Sequence, residues 1–158
     1  MPVLLTEVAP PVHRIAEATC LDVVAVVDAC SAASLAARFL VAVPPPRAEV
    51  LARLGRTLDH GTTLAAFAPQ PVGVVGVHPD GERRAELCAL VADAHQGRGV
   101  GAALLASVLR APRWQGWTLH AYVGHGNRAA HGLLRPAAAH RHLLPDCVEY
   151  VLPPREAR

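Results

Sequence analysis

A glycine-rich segment in the middle of the chain has the residue types and spacing of a phosphate-binding loop. Residues 96–101 read Gln-Gly-Arg-Gly-Val-Gly, an apolar run precedes them, and the apolar periodicity of a helix follows over residues 100–109. The first N–H groups of a helix have no partner within it, and the helix dipole favours negative charge there. Because glycine has no Cβ, a phosphate can approach the backbone closely. The segment therefore predicts an anion site.

Two common phosphate-binding loops do not fit this segment. A P-loop requires Gly-Lys-Ser/Thr, and the chain contains no lysine. A dinucleotide-binding fingerprint follows its strand at once and is followed about 20 residues later by an acidic residue. Here five residues separate Val91 from Gly97, and residues 117–122 include no carboxylate. A nucleotide-dependent enzyme is therefore disfavoured, and a glycine-rich turn that binds nothing is the simplest alternative to an anion site.

The segment fits the pattern Gln/Arg-x-x-Gly-x-Gly/Ala and resembles the acetyl-CoA loop of the GNAT acyltransferase superfamily. The resemblance covers nearly the whole chain and is closest to the bacterial protein-acetyltransferase branch, to which residues 31–54 and the pair Ala85-Glu86 are also similar. It implies acetyl-CoA as the cosubstrate, with its pyrophosphate on the loop and its pantetheine arm between two separating strands. The residues expected to bind it are Leu90, Val91, Gln96, Gly97, Arg98, Gly99, Val100, Gly101 and Asn127.

Three of these residues lie outside the glycine loop. We expect an unpaired N–H near Leu90 and Val91 to polarise the thioester carbonyl, because the strand edge opens where the pantetheine arm enters. Asn127 is similar to the asparagine with which the family contacts its cofactor at a helix start. Asparagine is also a favoured N-cap residue, and the two roles are compatible.

Glu86 is the expected general base. It lies in an apolar run, and strand alternation places it on one face with Cys88 and Leu90. A carboxylate that loses solvation on such a face is suited to accept a proton. In the related acyltransferases a glutamate at this position deprotonates the acceptor amine, often through water. The alternative is a solvated carboxylate paired with Arg83 or Arg84.

An acid for the leaving thiolate is missing from its usual place. Many relatives carry a tyrosine on the short helix near residue 134, where this chain has Leu133, Leu134 and Arg135. His131 lies on the same predicted helix, but we expect it to be a surface histidine. Cys88 is expected to be a core residue rather than a nucleophile, so the implied transfer is direct.

Periodicity and turn residues predict alternating strands and helices. Strands are expected at 13–18, 63–68, 72–77, around Glu86, 117–123, 141–144 and 148–152, and helices at 21–30, 32–40, 49–58, 100–109 and 127–134. A turn is expected at Pro79-Asp80-Gly81. The resemblance implies the α/β GNAT fold in the order β-α-α-β-β-β-α-β-α-β-β. In that fold a central mixed, mostly antiparallel twisted sheet of six to seven strands is flanked by about four helices.

Composition disfavours several function classes. The net charge is +2 and the arginines are scattered, so we expect neither a nucleic-acid nor a membrane partner. The length predicts a single domain over residues 1–158. No cysteine or histidine cluster has zinc-like spacing, so no metal site is expected. Without a signal-peptide pattern, the four dispersed cysteines are expected to be reduced and buried in a cytoplasmic protein.

The favoured function is N-acetyl transfer from acetyl-CoA to an amine acceptor, a protein lysine or a small molecule, with Glu86 as base. The alternative, suggested by the missing tyrosine, is a non-catalytic acyl-CoA-binding sensor or partner-binding domain of the same fold. Strand addition between C-terminal hairpins of two copies is one route to a homodimer.

Overall fold

The computed structural model describes residues 12–156 of the chain. Within them seven strands form one sheet: β1 (Arg14–Glu17), β2 (Thr62–Phe67), β3 (Pro71–Gly81), β4 (Arg84–Val91), β5 (Thr118–Gly124), β6 (His140–Leu143) and β7 (Cys147–Leu152). The helices are α1 (Cys20–Asp28), α2 (Ala32–Phe39), α3 (Arg47–His60), α4 (Val100–Arg110) and α5 (Arg128–Leu134). Periodicity predicts these five helices, whereas the fold implied by the resemblance has about four.

The sheet has the strand order β1-β2-β3-β4-β5-β7-β6. All neighbouring strands are antiparallel except β4 and β5, which are parallel. The expected mixed, mostly antiparallel sheet is therefore confirmed.

β4 and β5 pair over a short distance and then separate. Their register runs from Arg84 opposite Thr118 to Glu86 opposite His120 and ends there. The rest of β4 stays paired with β3, and the rest of β5 stays paired with β7. A V-shaped gap therefore opens between residues 87–91 of β4 and residues 121–124 of β5.

Alternation along the strands sorts their side chains onto two faces. Leu87 of β4 and Ala121 of β5 belong to the core under α4, together with Leu104 of that helix. Leu90 of β4 belongs to a second core under α1 and α3. Glu86 shares the face of Leu90, as the sequence predicts, and we call this side of the sheet the α1–α3 face.

The close approach of α4 to the sheet depends on a glycine. A Cβ at Gly73 of β3 would lie 2.9 Å from Cγ1 of Val100 and 3.2 Å from Cδ1 of Leu104. These distances are shorter than packed carbon atoms allow, so a side chain at this position would push the start of α4 away from the sheet.

The turn expected at Pro79-Asp80-Gly81 is wrong. β3 continues through these residues, and the chain turns at residues 82–83, where Arg83 has a φ of 54°. The pairing of β3 with β4 shifts register between Pro79 and Gly81, and this irregularity accommodates a proline that has no N–H to donate. As a result Asp80 lies within strand β3, at the register shift, and not in a loop.

The expectation of buried, reduced cysteines is correct for only part of the set. Cys147 is buried, Cys30 and Cys88 are partly buried, and all four thiols are free. Burial, together with the nearby Asp93 carboxylate, raises the pKa of the Cys30 thiol to about 12. Cys20 is exposed, because it begins α1 on the solvent side, so its expected burial is wrong. Among residues 12–156 no helix has the length and apolar character needed to cross a membrane.

His131 is buried rather than a surface residue. Its Nδ1 lies 2.6 Å from the Tyr150 hydroxyl, and its Nε2 lies 3.0 Å from the carbonyl oxygen of Gly124. A carbonyl only accepts hydrogen bonds, so Nε2 carries the proton and Nδ1 accepts from the tyrosine. Periodicity missed this role because His131 faces the sheet from the last turn of a short helix.

We expect Tyr150→Phe to lower the free energy of unfolding by about 1–3 kcal/mol, because it leaves the buried Nδ1 of His131 without a donor. Chemical unfolding followed by circular dichroism measures this loss. Tyr122→Phe is the matched control, since that hydroxyl is less buried and makes a long 3.4 Å bond. An equal loss in the two variants would contradict the structural role of the His131–Tyr150 pair.

Candidate active site

The glycine segment forms a loop of free backbone donors at the start of α4. Gly97 and Gly99 have φ values of 72° and 83°, a region that favours glycine, and Gly99 is the N-cap of α4. No acceptor among the described residues bonds the N–H groups of residues 97–101. These donors and the helix dipole make the loop suited to an anion.

The Gln96 side chain holds the loop in place. Its amide nitrogen donates to the carbonyl oxygen of Val91 at 3.0 Å and to the Ser34 hydroxyl at 3.1 Å. The side chain therefore joins the loop to the end of β4 and to α2. Gln96 lies at the expected site, and these two bonds give its side chain a positioning role.

Asp93 anchors the same junction and was missed from the sequence. One of its carboxylate oxygens accepts the backbone N–H of Ser31 at 3.1 Å and the Ser34 hydroxyl at 2.8 Å. Hydrogen bonds from Ser31 and Ser34 lower the pKa of Asp93. The signal available in the sequence was Ser31, a favoured N-cap residue, but nothing local to it points to a partner 62 residues away.

Helix α2 lies over the gap on the α1–α3 face. It begins beside Asp93, at the end of β4, and its C-cap residue Leu40 reaches the end of β5. The Cδ2 atom of Leu40 lies 3.7 Å from the place where a Cβ on Gly124 would be. The gap therefore has the loop at its wide end and α2 across one face.

Strand alternation indicates which β4 donors face the gap. The N–H of Ala92 donates to the carbonyl oxygen of Val72 in β3 at 2.8 Å, and Leu90, two residues earlier, faces β3 in the same way. Ala89 and Val91 therefore face the gap, in agreement with the side-chain bond that the Val91 carbonyl accepts. Of the two expected residues, Val91 has the orientation needed to donate into the gap.

Glu86 lies at the point where the gap begins. It is half-buried on the α1–α3 face, between His78 of β3 and His120 of β5 in the register. Among the described residues it forms no ion pair, whereas Arg84 lies 3.4 Å from Glu149. The arginine pairing considered as the alternative for Glu86 is therefore not found.

A second group of polar residues surrounds His120. Its Nε2 lies 2.6 Å from Oδ2 of Asp80 and its Nδ1 lies 3.5 Å from Oε1 of Glu149, while only 2% of its side chain is exposed. The Tyr122 hydroxyl donates to the same Glu149 oxygen at 3.4 Å. The histidine spacing that disfavours a zinc site gave no other role to His120. Alternation along β5 was the signal that places His120 and Tyr122 on the face of Glu86.

Helix α5 supplies no acid to the gap. Asn127 is its N-cap, with the side-chain oxygen accepting the N–H of Ala130 at 3.2 Å, so the capping role is confirmed. Both ring nitrogens of His131 are engaged, as described above. The part of the chain that the structure describes also has no cluster of three or more His, Cys, Asp or Glu residues able to hold a metal ion.

Comparison with solved structures finds the same fold in several acetyltransferases. The GNAT domain of Streptomyces lividans PAT aligns with a TM-score of 0.74 at 24% identity, covering 89% of each chain. A phosphinothricin acetyltransferase from Sinorhizobium meliloti, in complex with acetyl-CoA, aligns with a TM-score of 0.73 at 16% identity, covering 91% of this chain and 89% of that one. The putative acetyltransferase yncA from Salmonella typhimurium, with acetyl-CoA, aligns with a TM-score of 0.65 at 18% identity, covering 88% of this chain and 91% of that one.

Comparison with curated protein sequences finds no match. The model of the Acetyltransferase (GNAT) family, in contrast, matches residues 33–137, which is more than half of the chain. This range includes all but the first residue of α2, the helices α3 to α5, the strands β2 to β5 and the glycine loop. The chain therefore belongs to the GNAT acetyltransferase family.

Proposed function

We propose that this protein transfers the acetyl group of acetyl-CoA directly to an amine. The observation that supports the proposal is the continuous path from the free N–H groups of residues 97–101, along the gap between β4 and β5, to Glu86. A non-catalytic anion site has no need of a carboxylate at the far end of such a gap.

The cosubstrate fits this path by its chemistry. Its pyrophosphate takes the N–H groups of Gly97, Arg98, Gly99, Val100 and Gly101, where the helix dipole adds to the attraction. The pantetheine arm follows the gap, whose strand edges offer unpaired peptide groups. The N–H of Val91 is the donor we assign to the thioester carbonyl, where it would stabilise the negative charge that develops on the oxygen.

The reaction follows from the position of Glu86. Its carboxylate removes a proton from the acceptor ammonium, directly or through one water, and the free amine attacks the thioester carbon. The carbon–sulfur bond then breaks with its electron pair on sulfur, and the nitrogen loses its second proton to water, which leaves an amide and the CoA thiolate. Cys88 is partly buried and its thiol is directed at the Gly76 carbonyl at 3.7 Å, so it has the environment of a core residue and the transfer needs no enzyme nucleophile.

The acceptor site is the open sheet surface beside Glu86. All four residues of the edge strand β6 are exposed, so this end of the sheet leaves room for either a protein lysine or a small amine. The similarity of residues 31–54 to bacterial protein acetyltransferases favours a protein lysine. We further propose a cytoplasmic enzyme of one domain, with the exposed edge of β6 as the route to a homodimer.

Acetyl-CoA and CoA should each stabilise the protein against heat, while ATP and NAD should not. At about 100 times the dissociation constant, a ligand bound only by the folded state adds about 2.7 kcal/mol, or a shift in Tm of about 5–10 °C. Differential scanning fluorimetry measures the shift. No shift with acetyl-CoA and CoA would overturn the assignment of the loop.

Glu86→Gln should lower kcat for acetyl transfer by about a hundredfold to ten-thousandfold, because the amide cannot accept the ammonium proton. Acetyl-CoA affinity should stay near the wild-type value, since Glu86 lies beyond the phosphate loop. Thiol release from acetyl-CoA, measured with a panel of primary amines and a lysine peptide as acceptors, reports the rate.

The matched control is Glu17→Gln, the same chemical change on the exposed edge strand β1. It should leave both kcat and acetyl-CoA affinity unchanged. A wild-type protein that binds acetyl-CoA tightly and yet transfers the acetyl group to no amine would favour the non-catalytic sensor. Glu86→Gln would then change neither acetyl-CoA affinity nor any measured rate.

A further inference from the structure

A cleft lies on the α1–α3 face, one row of cross-strand neighbours away from Glu86. In this row Thr63 of β2 pairs with Gly76 of β3, and Gly76 pairs with Cys88 of β4. Side chains from α1, α2 and α3 line the other sides of the cleft, which has about 280 Å³ of empty volume when its opening to solvent is included. Glu86 precedes Cys88 by two residues on the same strand face, so the two lie about 6–7 Å apart along β4.

The cleft is continuous with the gap between β4 and β5. Ala89 lines the cleft, and its peptide group faces the gap. Helix α2, which lies over the gap, supplies Arg38 to the lining of the cleft. An acceptor whose amine reaches Glu86 can therefore place a second group in the cleft without leaving this face of the sheet.

Two polar side chains in the lining have atoms that are buried without a hydrogen-bond partner. Thr63 is only 9% exposed, and its Oγ1 has no partner within residues 12–156. The Nε atom of Arg38 is likewise buried and has no partner in that part of the chain. Buried polar atoms nearly always have a partner, and both of these groups can donate a hydrogen bond. They indicate a ligand that accepts hydrogen bonds.

The charge of Arg38 favours an anionic group in the cleft. Its guanidinium carbon lies 4.9 Å from the centre of the Phe39 ring, a contact that holds the side chain in position. Arg53 lies 5.4 Å from the same ring but is paired with Glu49. None of the ion pairs among the described residues includes Arg38, and it is the one charged side chain among the described residues that line the cleft.

We propose that Arg38 and Thr63 bind a carboxylate of the acceptor, so that the enzyme selects amines that carry a carboxylate several bonds away from the reacting nitrogen. This inference rests on the proposed function. A carboxylate suits the two donors, because one of its oxygens can accept from the guanidinium and the other from the hydroxyl. The row between Glu86 and the cleft requires a short chain between amine and carboxylate, as in an ω-amino acid or in a lysine beside an acidic residue.

The test compares kcat/KM for two matched pairs of acceptors. One pair is 5-aminopentanoate and 5-aminopentanamide, and the other is a lysine peptide with either glutamate or glutamine after the lysine. Within each pair the amine stays the same and a carboxylate becomes an amide. We expect a preference for the carboxylate of about tenfold to a hundredfold, the value of a charge-assisted hydrogen bond. A preference in the first pair identifies a small amino acid as the source of the carboxylate, and one in the second pair identifies a protein lysine.

Arg38→Gln should abolish the preference and leave acetyl-CoA affinity unchanged, because it removes the charge from the cleft and not from the phosphate loop. Arg38→Lys should keep part of the preference, since it retains the charge but not the planar donors. The matched control is Arg56→Gln, the same loss of charge at an exposed residue of α3, which should keep the full preference. A preference that survives Arg38→Gln, or that Arg56→Gln lowers equally, would overturn the proposal.

Thr63→Val separates a hydroxyl that serves the ligand from one that serves the fold. The change replaces a hydroxyl that has no partner in the described chain with a methyl group of similar size, so the free protein should be no less stable to heat. The preference for the carboxylate should nevertheless fall about fivefold, the value of one neutral hydrogen bond. An unchanged preference would contradict the joint role of Thr63 and Arg38.

The remaining outcomes separate this inference from the function on which it rests. If acetyl-CoA binds and both members of each pair react equally, or none of the four acceptors is acetylated, the carboxylate site is wrong and the assignment of the glycine loop stands. If acetyl-CoA does not bind to the wild-type protein, the proposed function fails, and the inference fails with it.

Discussion

The separation of β4 from β5 is the constraint on which the rest of the site depends. Two parallel strands normally continue their ladder, and leaving it exposes peptide groups that need other partners. Here each strand keeps its hydrogen-bonded neighbour on the other side, β3 for β4 and β7 for β5. The two strands can therefore separate while both remain in the sheet. One exposed carbonyl, that of Val91, is satisfied by the Gln96 side chain, which leaves nearby N–H groups directed into the gap.

The same junction gives the glycine loop a fixed position. A loop with two residues at positive φ and no internal hydrogen bonds is costly to order. Asp93 offsets this cost by joining the end of β4 to the first turn of α2 through Ser31 and Ser34, and Gln96 adds a second connection to Ser34. The glycine loop and the helix that covers the gap therefore share one set of hydrogen bonds. An anion that settles on the loop meets donors that are already oriented.

The sequence was sufficient for whatever depends on local pattern. Strand alternation placed Glu86 and Leu90 on one face, and glycine spacing located the start of α4, because both are properties of neighbouring residues. It failed where a residue is defined by a partner far along the chain. His131 was expected at the surface because its partner Tyr150 lies 19 residues away, and Asp93 was missed because Ser31 lies 62 residues away. The turn expected at Pro79 was wrong for another reason. Proline usually ends a strand, but here a register shift between β3 and β4 accommodates it within β3.

The polar cluster beyond Glu86 shows how one such irregularity shapes the site. Because β3 continues past Pro79, Asp80 is a residue of this strand. Its carboxylate lies 2.6 Å from Nε2 of the buried His120 ring. A buried imidazole needs a partner for each nitrogen; Asp80 supplies one at Nε2 and Arg84 the other at Nδ1, with Glu149 3.5 Å from the same Nδ1. These contacts connect β3, β5 and β7 across the base of the gap, so the network that satisfies His120 also holds the strands where they begin to part. The chemistry proposed for Glu86 therefore depends on these polar contacts as well as on the packing of the core.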